Sequence, residues 1–70
     1  MPTQKFVVPG LVPADQERVT NSLMSLDGVL YAIASHPDGC MEIEFEDDCI
    51  TIEELARHMA RLGYPASPSG

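Results

Sequence analysis

Three consecutive stretches decide the fold: Val29-Leu30-Tyr31-Ala32-Ile33-Ala34-Ser35, then Pro37-Asp38-Gly39, then Met41-Glu42-Ile43-Glu44-Phe45-Glu46. The last alternates strictly, with Met41, Ile43 and Phe45 on one side and Glu42, Glu44 and Glu46 on the other. That period of two belongs to a half-buried strand of an antiparallel sheet. The first stretch is short, apolar and β-prone, and Pro-Asp-Gly is turn chemistry. The three together predict a hairpin with one buried face.

The flanking segments are helical. After the hairpin, Thr51 and Glu54 have the spacing of a capping box, and Ile50 can staple against Leu55. Ile52, Leu55, Ala56, Met59 and Leu62 form one apolar stripe. Glu53 and Glu54 stand at its start and Arg57, His58 and Arg61 towards its end, which suits the helix dipole. Gly63 is the expected residue just past its end. Before the hairpin, Pro13 fits a first helical turn and Asp15 and Glu17 place negative charge there. Val19, Leu23 and Leu26, with Met24 alongside, recur at helical spacing, and Asp27-Gly28 closes the segment.

Outside these lie a strand at Lys5–Val8, closed by Pro9-Gly10, and a short edge strand at Tyr64-Pro65-Ala66. Ser67 to Gly70 is expected to be a flexible tail. The order strand, helix, strand, strand, helix, strand predicts an α+β fold of the ferredoxin-like βαββαβ type. Right-handed crossovers put two helices on one face of a four-stranded antiparallel sheet. Residues 1–70 are expected to be a single domain, with its core at about 5–66. Seventy residues bury only about 60% of the unfolded surface, so modest stability is expected.

Charge and composition exclude several functions. Eleven acids stand against four Lys and Arg, a formal net charge of −7. Nucleic acid and anionic membrane surfaces both call for clustered cations, and none are present. A basic protein partner suits this charge. No apolar run approaches the roughly 20 residues of a membrane span, and the first residues lack a signal peptide's apolar stretch. A soluble, cytoplasmic protein is expected. Cys40 and Cys49 lie about 25–30 Å apart if the chain between them is extended. A disulfide needs Cα atoms within about 7 Å, so two thiols in a reducing compartment are expected.

At this point the chain resembles a heavy-metal-associated domain, the fold of small copper chaperones and of the amino-terminal modules of metal-transporting ATPases. The likeness runs without gaps from about Lys5 to Ala66. Gly10-Leu11 stands for the family's Gly-Met, and Gly28-Val29 for its Gly-Val. Met41, Ile43 and Phe45 fill the inward places of the third strand. Glu54-Leu55 matches the second helix, and Leu62-Gly63-Tyr64 the close. The family's two metal-binding cysteines fall on Pro13 and Gln16, which supply no thiolate for a soft ion. The resemblance therefore implies the fold and speaks against the family's usual chemistry. No metal ligand carries over.

The topology gathers Leu11, Pro13, Gln16, His36, Cys40, Met41 and Tyr64 at one end of the sheet. His36 and Cys40 offer two donors, short of a tetrahedral site, and Met41 should point into the core. Glu46-Asp47-Asp48 lacks the glycine-centred loop of a calcium hand and reads as a solvated turn. Cys49 is expected to be weakly reactive, and His58 to serve the helix end facing water. No Gly-rich phosphate loop or nucleophile–base set is visible, and Ser22 and Ser35 have no activating neighbour. The uncovered sheet face carries Lys5, Val7, Tyr31, Ile33, Glu42, Glu44 and Glu46. There Tyr31 and Ile33, beside Glu42 and Glu44, are the candidate interface.

The expected function is a non-enzymatic binding module acting by protein–protein docking, in metal handling, with no cofactor beyond a weakly held metal ion. The alternative is a metal carrier with His36 and Cys40 as ligands at a dimer interface, so a homo-oligomer fits either reading. A third is a thiol switch through intermolecular pairing of Cys40 or Cys49.

Overall fold

The computed structural model describes residues 2–35 and 39–69. The elements are β1 (Thr3–Val7), α1 (Pro13–Met24), β2 (Val29–Ser35), β3 (Cys40–Phe45), α2 (Ile52–Arg61) and β4 (Ser67–Ser69). The strands form one antiparallel sheet in the order β2-β3-β1-β4. This is the ferredoxin-like arrangement the element order predicts. The central strands β3 and β1 pair Thr3 with Glu44, Lys5 with Glu42 and Val7 with Cys40.

The alternation of β3 is met in full. Met41, Ile43 and Phe45 are buried beside Phe6, Val8 and Ala32, and the helices add Val19, Leu23, Leu55 and Met59. Helix α2 is closed at both ends. Thr51 Oγ1 accepts from the N–H of Glu54 at 3.1 Å, and Glu54 Oε1 accepts from the N–H of Thr51 at 3.1 Å. At the other end Gly63 takes φ +94°, open to a residue without Cβ. The N–H of Gly63 reaches Ala60 O at 3.0 Å and that of Tyr64 reaches Met59 O at 3.0 Å. These two bonds make a Schellman stop. Helix α1 is less well prepared, because its cap residue Val12 offers no side-chain acceptor. It ends at Met24, ahead of the expected Asp27-Gly28.

The last strand departs from the expectation. It is Ser67–Ser69, not Tyr64–Ala66, and these residues are no tail: they pair with Lys5, Phe6 and Val7. The Tyr64 N–H is already committed to the helix stop, and Pro65 has no N–H to give. The chain therefore reaches the edge of β1 only at Ser67. Gln4 Nε2 donates to Ser69 O at 2.9 Å and fastens that edge. Pro68 is tolerated because β4 is an edge strand. A second irregularity lies in β2, where a register shift between Val29 and Tyr31 turns Leu30 outward, 44% exposed.

Candidate functional site

The first region is the end of the sheet where β1 meets α1. Leu11 is buried as an apolar plug, and Pro13 opens the helix. Gln16 is half-buried three residues on. The residue that organises this end is Asp15, which lies between them. Tyr64, in the loop after α2, donates its hydroxyl proton to Asp15 Oδ2. Arg18 Nε lies 3.6 Å from Asp15 Oδ1, and Arg18 also reaches Leu62 O at 3.5 Å. The Tyr64 hydrogen bond, foremost, holds the Asp15 carboxyl below its ordinary pKa against the opposing effect of burial, and the hydrogen bond and charge of Arg18 add smaller lowering effects. The same bond pushes the Tyr64 phenol up. Neither partner was marked as a pair in the sequence, since 49 residues separate them.

Met41 is fully buried, as alternation requires. Cys40 is half-buried, in register with Val7 and Ser35. Alternation from buried Met41 places it on the uncovered face of the sheet. His36, the other candidate metal donor, lies outside the described residues, as do Pro37 and Asp38 of the expected turn. Neither Cys40 nor Cys49 is in a disulfide.

At the opposite end of the sheet, Glu46, Asp48 and Cys49 bring one donor atom each within 4.8 Å of one another. The group mixes hard carboxylates with a soft sulfur donor. The charge of Asp48, then partial burial, then Glu46 and Asp27 push the Cys49 thiol up, away from the thiolate a metal needs.

Between the helices the structure corrects two expectations. Ser22 does have a neighbour: its Oγ lies 2.9 Å from Nε2 of His58. His58 is thereby half-buried against α1 and does not face water at the end of α2. The two helices lie side by side, a contact that 36 residues of separation conceal. Among the described residues no third group holds the other ring nitrogen of His58. Below the pair lies a groove of about 190 Å³ lined by Leu26, Ile50, Glu54, Arg57, His58 and Arg61.

The uncovered sheet face holds the last region. Tyr31 is 52% and Ile33 43% exposed. In register, Tyr31 stands opposite Glu44 and Ile33 opposite Glu42. Lys5 follows Glu42 on β1, with Val7 exposed beyond it. The four candidate residues thus form one block of two aliphatic or aromatic and two acidic side chains. Glu46 lies just past β3 and outside this block.

No family model and no curated protein matches the chain. Solved structures do. Oxidized MerP from Ralstonia metallidurans CH34 superposes with a TM-score of 0.91 at 23% identity, over 99% of this chain and 97% of that one. A copper binding domain from HMA7, a P-type ATPase, gives 0.92 at 20% identity, over 100% and 96%. The CopZ metallochaperone gives 0.86 at 18% identity, over 94% and 100%. The fold is therefore that of heavy-metal-associated metallochaperone domains, and the chain contains no Cys-x-x-Cys. No helix among the described residues is long and apolar enough to cross a membrane.

Proposed function

We propose that this chain is a non-enzymatic docking module of a metal-handling system that keeps the metallochaperone fold without a thiolate site. The observation that carries the reading is the block of Tyr31 and Ile33 set against Glu44 and Glu42 on the uncovered sheet face. Aromatic and β-branched groups supply contact area, and the carboxylates steer a basic partner towards it. The position of a family ligand pair is taken by Pro13 and Gln16, and Asp15 between them is held by Tyr64 and Arg18. Among the described residues the Ser22–His58 pair has no orienting third group, so a helix-to-helix hydrogen bond accounts for it better than catalysis does. With two thiols outside disulfides, the reading places the protein in the cytoplasm.

The test is Tyr31→Ser with Ile33→Thr. Binding to a basic partner captured by the parent chain should weaken while the melting temperature stays within a few degrees. Equal capture by both proteins sinks the reading, and so does unfolding of the double variant.

A second reading is favoured by the mercury-bound form of MerP, the copper binding domain of HMA7 and the CopZ metallochaperone: a carrier that uses Cys40 with His36 at a dimer interface. It requires a metal-dependent dimer that Cys40→Ser abolishes.

A further inference from the structure

The chain carries two surface features of opposite charge. One is the sheet patch of Tyr31, Ile33, Glu42 and Glu44. The other is the groove on the helix layer. Leu26, half-buried, and Ile50, only 7% exposed, give that groove an apolar floor. Arg57 and Arg61 stand over it, one helical turn apart. In a chain with four Lys and Arg these two are the concentrated positive charge: Lys5 belongs to the sheet, and Arg18 is drawn to Asp15 and Leu62. Among the described residues neither Arg57 nor Arg61 makes an ion pair or a hydrogen bond. The one acid lining the groove, Glu54, is turned to the helix start by its bonds to Thr51.

The spacing of the two features agrees. Carboxylates at alternate strand positions, such as Glu42 and Glu44, lie about 6.7 Å apart along the strand. Guanidinium groups at i and i+4, such as Arg57 and Arg61, lie about 6 Å apart along the helix. Acid can therefore meet base twice while Tyr31 and Ile33 lie over Leu26 and Ile50. Two sheet patches meeting face to face would bring four carboxylates together with only Lys5 of each sheet to offset them.

Resting on the reading that the Tyr31 patch is a docking surface, we propose that its occupant is a second copy of this chain, joined head to tail through the Leu26–Ile50–Arg57–Arg61 groove. Such a contact is heterologous and leaves one patch and one groove open at the ends, so assembly continues beyond the dimer. A contact of four residues on each side falls in the weak, transient class. A net charge of −7 opposes assembly at long range. At about 0.15 M salt that repulsion is screened beyond about 8 Å, while the charge pairs act inside that distance.

Sedimentation equilibrium at that ionic strength tests the proposal. The average mass of the parent chain should rise with concentration into the millimolar range without levelling at a dimer. Glu42→Arg with Glu44→Arg should abolish the rise, and so should Arg57→Glu with Arg61→Glu. All four substitutions together leave the net charge at −7 and should restore it. Circular dichroism confirms folding of each variant; Glu42, Arg57 and Arg61 are exposed and Glu44 is half-buried. A monomeric parent chain, a plateau at the dimer, or a quadruple variant that stays monomeric overturns the proposal. If the parent is monomeric yet the Tyr31 and Ile33 substitutions still weaken capture of a foreign basic protein, the docking reading stands and only the identity of the occupant falls. If neither assay responds to the patch, both fall.

Discussion

The hydroxyl of Tyr64 donates to the carboxylate of Asp15, tying the loop after α2 to the first turn of α1. Asp15 lies between Pro13 and Gln16, so this contact orders the end of the sheet where the resemblance to heavy-metal-associated domains would put the cysteine pair.

This contact makes stability fall at both extremes of pH. The pKa of Asp15 is lowered by folding, chiefly by Tyr64. Its contribution is present above the ordinary carboxylate value of 3.8 and is lost as pH falls through the folded value. The pKa of Tyr64 is raised, chiefly by Asp15. Its contribution is complete below the ordinary phenol value of 10.0 and is lost as pH rises through the folded value. Asp15→Asn should lower the melting temperature at neutral pH, and the gap from the parent should close in acid. Tyr64→Phe should likewise lower it and remove the alkaline loss. A gap that is constant from pH 2 to 7 would show that Asp15 is not the titrating partner.

The two helix starts predict opposite mutational signs. At α2 the capping box is complete, so Thr51→Ala should cost about 1 kcal/mol. At α1, Val12 sits in extended geometry at the cap with no side-chain bond. Val12→Ser should therefore gain about 1 kcal/mol. For a domain of this size each change is roughly 4–8 °C in melting temperature. Thermal melts of both variants decide it, and a stabilising Thr51→Ala or a destabilising Val12→Ser contradicts the cap assignment.

What could be read from the residues alone follows their periodicity. Met41, Ile43 and Phe45 on one face, and Thr51 with Glu54 at a helix start, are local patterns that hold whatever the partner element is. Helix order and sheet topology follow from them by packing. What stayed hidden is long-range. Tyr64 meets Asp15 across 49 residues, and His58 meets Ser22 across 36. Neither pair leaves a local trace. The position of β4 was hidden for another reason: Pro65 and Pro68 lower strand propensity, and only the open edge of β1 draws Ser67–Ser69 into the sheet. The candidate docking face was legible because Tyr31 and Ile33 break the polar alternation next to Glu42 and Glu44. The groove lined by Leu26, Ile50, Arg57 and Arg61 needed both helices in place.

On the proposed reading, a metal site can be introduced at the α1 end. Pro13 and Gln16 are three residues apart on the first turn and so share a helix face. Pro13→Cys with Gln16→Cys places two thiols at a helix amino terminus, which favours the thiolate. The double variant should hold one Cu(I) against a chelator that strips the parent chain. If the parent competes as well, its ligands lie elsewhere and Cys40→Ser is the variant to measure. If neither binds, the loop from Leu11 to Gln16 departs from the metallochaperone geometry.

Cys49 should be slow to alkylate although it is exposed. The attacking species is the thiolate. Asp48, on the adjacent residue, disfavours that negative charge most strongly, with partial burial, Glu46 and Asp27 adding to it. The folded protein therefore holds less thiolate near neutral pH than a simple cysteine would. On a Cys40→Ser background, iodoacetamide should modify Cys49 more slowly in the native protein than in urea, with the native rate rising only at higher pH. Asp48→Asn removes the largest opposing charge and should speed the native reaction while leaving the urea rate nearly unchanged. Raising the salt concentration should do part of the same, since these charges lie at the surface. If the native rate equals the urea rate, or does not respond to Asp48→Asn, the acidic turn does not govern the thiol. Cys49 would then have to be treated as an ordinary reactive cysteine, and intermolecular pairing through it would become the first question to ask.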